Sequence, residues 1–110
     1  MRENKNIRQI FLGNLGLARK AGKAVLGSDN IYEKMSTDGL FMVIVSSEAS
    51  DNTKKKLKNR ADYTHTDIFF VDISVEELGK AVGKELASCV GISDKNFKNL
   101  LSKSTETFAE

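Results

Sequence analysis

The stretch Leu40-Phe-Met-Val-Ile-Val-Ser46 decides the fold class of this chain. It contains the longest apolar run in the sequence, it is rich in valine and isoleucine, and its residues do not alternate between polar and apolar. Such a run is typical of a central strand that is covered on both faces. It is far shorter than the ~20 apolar residues needed to span a bilayer, so the sequence predicts no membrane segment.

Strands and helices alternate on both sides of this run. Strands are predicted over 24–26, 40–46, 68–73 and 88–92. Apolar residues at helical spacing and capping residues predict helices over 5–21, 28–37 and 74–82. Ser50 or Asp51 caps a further helix between the strands 40–46 and 68–73, and Asp94 caps the last helix. This alternation predicts an α/β fold with helices on both faces of a mostly parallel or mixed sheet.

The length and the composition favour one small intracellular domain. The 110 residues fit a single domain, which we expect over 1–103, followed by a frayed tail over 104–110, where apolar anchors are few. A single cysteine excludes a disulfide framework and a multi-thiolate zinc site. The first apolar stretch is interrupted by glycines, so no signal peptide is predicted and a cytoplasmic location is expected.

The formal net charge of +2 conceals two basic blocks. Residues 1–27 carry six basic residues against one acidic residue, and 54–60 carry five basic residues, so each block has a net charge of +5. The intervening 28–53 and the terminal 61–110 each have a net charge of −4. Clustered lysines attract phosphates even on a near-neutral protein, but a lysine-rich helix face also simply solubilises a helix. The sequence alone leaves both interpretations of 54–60 open.

Residues suited to catalysis are sparse. His65 is the only histidine and lies in a predicted turn, and Cys89 is the only cysteine and lies in a predicted strand. We expect an exposed loop histidine and a small buried residue at these positions. The acidic residues have no metal-ligand spacing, and the segment 79–85 lacks the spacing and the hydroxyl residue of a phosphate loop. We therefore expect no enzymatic activity, no metal and no cofactor.

Basic residues precede a glycine and a helix start within the segment 19–30. The free amides and the dipole at a helix N-terminus attract phosphate, and the side-chain amide of Asn30 is suited to reading base edges. The alternative is that Ser28 and Asp29 only cap the helix.

Five segments of the chain follow one another in an order found in one protein family. They are Gly16-Leu-Ala-Arg-Lys-Ala-Gly-Lys23, Gly27 with the helix that follows, Val43-Ile-Val-Ser-Ser-Glu-Ala-Ser-Asp-Asn-Thr-Lys-Lys-Lys56, Glu77-Leu-Gly-Lys-Ala-Val-Gly-Lys84 and Ile92-Ser-Asp-Lys-Asn-Phe97. In this order the chain resembles the ribosomal protein L7Ae family, and most of all its small bacterial YlxQ-type branch. The resemblance implies a three-layer α/β/α sandwich with a four-stranded mixed sheet that binds structured RNA, typically a kink-turn.

The resemblance also implies an RNA site made of a helix start and a loop. Family members hold the kink with a glycine, an Asn-Glu pair and a lysine one turn later, while an apolar loop packs on a flipped-out base. The site residues that this implies are Lys20 and Lys23 in the basic approach, Gly27, Ser28, Asp29, Asn30, Glu33 and Lys34 at the helix start, and Glu85, Leu86 and Ala87 in the apolar loop.

Two of these residues depart from the family pattern. Asp29 stands at the asparagine position and Glu33 at the lysine position, so two negative charges face the expected phosphates, with Lys34 as an adjacent cation. The sequence favours a non-catalytic, ribosomal-protein-like factor that binds a kink-turn-like or related ribosomal or regulatory RNA and has no small-molecule substrate. The alternative is a protein-interaction module that keeps the fold and has lost kink-turn affinity.

Overall fold

The computed structural model describes residues 5–37 and 39–108. The elements of this part of the chain are α1 (Lys5–Lys20), β1 (Ala24–Leu26), α2 (Ser28–Ser36), β2 (Met42–Ser46), α3 (Asp51–Thr64), β3 (Asp67–Val71), α4 (Val75–Ala81), β4 (Cys89–Ile92) and α5 (Lys95–Phe108). The predicted order of helices and strands is confirmed. Residues 1–4 of the predicted domain and residues 109–110 of the predicted tail lie outside the described residues.

The four strands form one mixed sheet in the order β1-β4-β2-β3. β2 and β3 are parallel, while β4 is antiparallel to both of its neighbours. Leu26 at the end of β1 therefore pairs with Val90 near the start of β4. This register brings the start of α2 and the loop before β4 to the same end of the sheet, where β1 ends and β4 begins.

The central position of β2 explains why its sequence does not alternate. Met42 and Ile44 belong to a core cluster with α1, α4 and α5, whereas Val43 and Val45 belong to a second cluster with α2 and α3. All four side chains are fully buried. Helices thus cover both faces of the sheet, and the predicted three-layer α/β/α sandwich is confirmed.

Local hydrogen bonds fix the starts of α3 and α4. Ser50, and not Asp51, caps α3, because its side chain accepts a hydrogen bond from Thr53 N at 3.1 Å. At α4, Ser74 Oγ accepts from Glu77 N at 3.1 Å, and Glu77 Oε1 accepts from Ser74 N at 3.4 Å. The predicted capping box is therefore present.

The end of the chain differs from the prediction. Residues 104–108 continue α5 instead of fraying, and Phe108 is buried with its ring centroid 5.3 Å from that of Phe11. The buried hydroxyl of Thr105 donates a hydrogen bond to Leu101 O at 2.7 Å, so burying this polar residue leaves no unmet donor. The expectation of a frayed tail is wrong for these residues, because one aromatic anchor at the helix end is enough to hold the last turn.

Candidate nucleic-acid interface

A cleft of about 320 Å³ lies between the start of α2 and the loop before β4. Leu26 and Gly27 form one side of it, and Lys84, Leu86 and the residues that lead into β4 form the other. We call the segment Lys84–Ser88 the 84–88 loop. The structure thus brings together the predicted helix start and the predicted apolar loop, which are more than 50 residues apart in the sequence.

The 84–88 loop lies directly against α4. A Cβ atom at the buried Gly79 would lie 2.8 Å from Glu85 O and 2.8 Å from Leu86 N, so only glycine permits this approach. Ala87 N also donates a hydrogen bond to Val75 O at 3.0 Å. The side chain of Leu86, which is 58% exposed, is therefore presented from a fixed backbone.

The start of α2 differs in detail from the prediction. Gly27, with φ +90°, is the N-cap residue, and Ser28 is the first residue of the helix and not its cap. Because glycine has no side chain, the cap residue makes no side-chain hydrogen bond to the first amides of α2. These amides are left beside the cleft as donors, which is the arrangement that attracts an anion.

Asn30 lies in the first turn of α2 and its side chain is exposed. Its Nδ2 atom donates a hydrogen bond to Leu26 O at 3.0 Å, which is the last carbonyl of β1. This bond orients the side-chain amide toward β1, so Asn30 helps to fix the geometry of the junction.

Asp29 is paired with the second basic block. Lys56 Nζ on α3 lies 2.6 Å from Asp29 Oδ1, and the side chains are 42% and 89% exposed, respectively. The hydrogen bond from Lys56 lowers the pKa of the Asp29 carboxyl, and the hydrogen bond to Asp29 raises the pKa of Lys56. The negative charge at the family's asparagine position therefore has a counter-ion at hydrogen-bond distance.

Glu33 and Lys34 lie on a neighbouring groove and not in the cleft. This groove, of about 470 Å³, runs along the edge strand β1 and also contacts Asn30 and Thr37. Both charged side chains are exposed. Lys34 therefore places a cation in the same groove as the anion at the family's lysine position.

Lys20 and Lys23 lie away from the cleft. Lys23 precedes β1 and Gly27 follows it, so their Cα atoms are about 13 Å apart at ~3.3 Å per residue. Lys20 lines a groove between α1 and α4 together with Lys80. These lysines are suited to contacts with more distant phosphates, in contrast to the residues around Gly27.

Cys89 and His65 lie at opposite ends of the sheet. Cys89 pairs with Val45 near the end of β2, whereas His65 precedes β3, whose Asp67 pairs with Met42 at the start of β2. Cys89 is buried and His65 is exposed. The two side chains are therefore not arranged as a nucleophile and its base.

We expect Cys89 to be unreactive in the folded protein. Burial raises the pKa of its thiol, so the thiolate becomes available only at higher pH than for a free cysteine. Alkylation by iodoacetamide at neutral pH should be slow in buffer and fast in denaturant. Equal rates in the two conditions would contradict this placement.

Two cations beside the cleft were absent from the predicted site. Lys84 and Lys56 each end a family segment, and Lys56 is also one of the five basic residues in the second block, but neither was assigned to the site. The pairing of Lys56 with Asp29 depends on how α3 packs against α2, and no local sequence signal reports that packing.

Among residues 5–37 and 39–108, no group of three or more His, Cys, Asp or Glu side chains is arranged to hold a metal ion. Within the same ranges, no helix combines the length and the apolar character needed to cross a membrane.

The fold and the cleft define a class of small α/β/α proteins that present a helix N-terminus beside an exposed apolar loop. The model of the ribosomal protein L7Ae/L30e/S12e/Gadd45 family matches residues 11–102. The chain therefore belongs to this family, as its motifs predicted.

Named relatives are of similar length. The chain is 33% identical to the RNA-binding protein YlxQ of Bacillus subtilis (strain 168) over 87 residues, which are 79% of this chain and 86% of the relative. It is 32% identical to the RNA-binding protein YlxQ of Enterococcus faecium over 94 residues, covering 86% and 89%.

Solved structures share the fold. A protein of unknown function from Bacillus halodurans C superposes with a TM-score of 0.83 at 28% identity, covering 87% of this chain and 96% of that one. The Giardia lamblia 15.5kD RNA binding protein superposes with a TM-score of 0.75 at 14% identity, covering 96% and 90%. The second likeness concerns the fold alone.

Proposed function

We propose that this protein binds structured RNA at the cleft between the start of α2 and the 84–88 loop, without catalysing a reaction. The observation that carries the proposal is the cleft itself, where Gly27 at the start of α2 lies together with the exposed Leu86 and the cation Lys84. The RNA-binding names of the two YlxQ relatives support the same conclusion.

Each side of the cleft suits a different part of an RNA. The amides at the N-terminus of α2 and the ammonium of Lys84 are donors for phosphate oxygens. The exposed Leu86 offers an apolar surface to the face of an unstacked base, and RNA is recognised mainly through such bases. A sharply bent RNA presents a phosphate and an unstacked base close together, so we infer that the target is a kink-turn or a similar bend, in ribosomal or regulatory RNA.

The charge balance at the cleft favours RNA over a protein partner. In the sequence alone, Asp29 and Glu33 favour the alternative of a protein-interaction module, because both side chains would repel phosphate. In the fold, Lys56 pairs with Asp29, and Lys34 shares a groove with Glu33. The repulsion is therefore offset at Asp29, and Glu33 lies outside the cleft in a groove that also carries a cation.

Titration distinguishes a bent RNA target from general electrostatic attraction. A kink-turn RNA and a straight duplex of equal length are titrated with the protein at a low and a high salt concentration. The proposal predicts tighter binding of the kink-turn at both salt concentrations, while duplex binding weakens steeply with salt. Negligible binding of both RNAs at low salt would contradict it.

Replacing Asp29 by asparagine should strengthen RNA binding. The change removes a negative charge, frees Lys56 for a phosphate and introduces an amide donor. We expect an affinity gain of about tenfold, equivalent to one additional charge-assisted hydrogen bond. Folding stability should change little, because exposed ion pairs contribute little to it.

Asp62→Asn is the matched control for this change. It removes the same charge and also frees a lysine, since Lys58 Nζ lies 3.4 Å from Asp62 Oδ2 on α3. Asp29 is two residues from Gly27, which lines the cleft, whereas the Lys58–Asp62 pair lies within α3 alone. An equal gain in both variants would show that net charge, and not the position of Lys56, determines the affinity.

A further inference from the structure

Four side chains alternate between cations and aromatic rings across α2 and α3. Lys56 Nζ lies 5.1 Å from the ring centroid of Tyr32, and Arg60 Cζ lies 4.6 Å from the same ring. Arg60 Cζ also lies 5.5 Å from the ring centroid of Tyr63. We call Lys56, Tyr32, Arg60 and Tyr63 the cation–aromatic ladder.

The inner part of the ladder holds α2 and α3 together. Tyr32 is half-buried against the second core cluster, and Arg60 both stacks on it and donates a hydrogen bond from Nη2 to Ser36 Oγ. These contacts anchor Arg60 without any help from Tyr63.

The outer ring is exposed to an unusual degree. Tyr63 is 78% exposed, more than any other exposed large hydrophobic residue in the described part of the chain, where the next values are 58% for Ile10 and Leu86. A tyrosine with one cation against it and most of its surface in solvent adds little to the core. It does present a flat surface, and such surfaces are common where nucleic-acid bases stack.

The ladder runs away from the proposed RNA site. Lys56 contacts Asp29 at the beginning of α2, and Arg60 contacts Ser36 at its end, so the two helices run in the same direction. Tyr63 is seven residues beyond Lys56 on α3, about 10 Å at 1.5 Å per residue. A strand that leaves the cleft along these helices would pass Lys56 and Arg60 before it reaches Tyr63.

We propose that Tyr63 is a stacking platform for an unpaired base in the RNA strand that leaves the cleft. Arg60 holds the ring from behind and lies on the path between the cleft and the platform. The platform accepts any base, because stacking uses the ring face and not its hydrogen-bonding edge. This inference rests on the proposed function and adds single-stranded RNA next to the bend as part of the ligand.

Tyrosine fluorescence tests the platform directly, because the chain has two tyrosines and no tryptophan. Tyr32→Phe leaves Tyr63 as the only tyrosine, and Tyr63→Phe leaves only Tyr32. Each variant is titrated with a blunt-ended kink-turn RNA and with the same RNA carrying a short unpaired oligo(A) extension. We expect quenching of Tyr63 by the extended RNA only, and no comparable quenching of Tyr32.

Affinity provides the second readout. Tyr63→Leu should weaken binding of the extended RNA by about five- to tenfold, within the range for loss of one base–aromatic stack, and leave the blunt RNA unaffected. Phe41→Leu, which alters another exposed aromatic residue outside the ladder, should affect neither RNA. The platform is wrong, and the proposed function stands, if the blunt RNA binds but the extended RNA neither quenches Tyr63 nor binds more weakly to Tyr63→Leu. If neither RNA binds, both fail.

Discussion

Gly79→Ala is expected to destabilise the protein by about 2 kcal/mol and to weaken RNA binding. This is the opposite of the usual effect, because alanine has a higher helix propensity than glycine. The new Cβ atom would lie 2.8 Å from three backbone atoms of Glu85 and Leu86. Backbone cannot rotate away as a flexible side chain can, so either α4 or the 84–88 loop must move. Either movement shifts Leu86 at the cleft.

Gly13→Ala provides the matched control for this change. Gly13 is also a helical glycine, but a Cβ atom there would meet nothing within 4 Å. We expect this variant to be as stable as the wild type or more stable by up to about 1 kcal/mol. Urea denaturation and RNA titration of both variants measure the effect. Equal stability and equal affinity would show that the loop is not held by its contact with Gly79.

Phe108→Ala is expected to reduce the free energy of unfolding by about 3–5 kcal/mol, a large part of the stability of a domain of this size. Its ring is buried, packs against Phe11 and lies 5.3 Å from the guanidinium carbon of Arg8. Asp72 N also donates a hydrogen bond to Phe108 O at 2.6 Å, which attaches the last turn of α5 to the end of β3.

Leu100→Ala is the control on the same helix. Leu100 is 41% exposed, so its truncation should cost about 1 kcal/mol or less. Thermal or urea unfolding of the two variants should therefore differ clearly. If Phe108→Ala were no less stable than Leu100→Ala, the end of α5 would not be part of the core.

The fold was predictable because its signals are local. The apolar run that contains β2 and the Ser74–Glu77 capping box each report a short stretch of chain, and the structure has both as predicted. The cap of α2 was missed because Ser28 is a favourable N-cap by type, whereas the left-handed backbone at Gly27 moves the cap one residue earlier. Residue type alone does not report the backbone angle.

The site was only partly predictable because its charges combine through packing. Family motifs indicated Gly27 and Leu86, which the sheet register then brings to one cleft. The ion pair between Asp29 and Lys56 joins residues 27 positions apart. Sequence position therefore suggested two acidic residues that would repel phosphate at the site, whereas the packing of α3 on α2 gives one of them, Asp29, a counter-ion.

Mapping backbone amide chemical shifts during titration with a kink-turn RNA tests the central claim most directly. If the RNA is held at the cleft, the amides of Gly27, Ser28, Ala87 and Ser88 should shift in a saturable manner with one common affinity. The amides on the exposed side of α5, such as that of Lys103, should remain unchanged. Saturable shifts confined to α5, with no change around Gly27 and the 84–88 loop, would contradict the account.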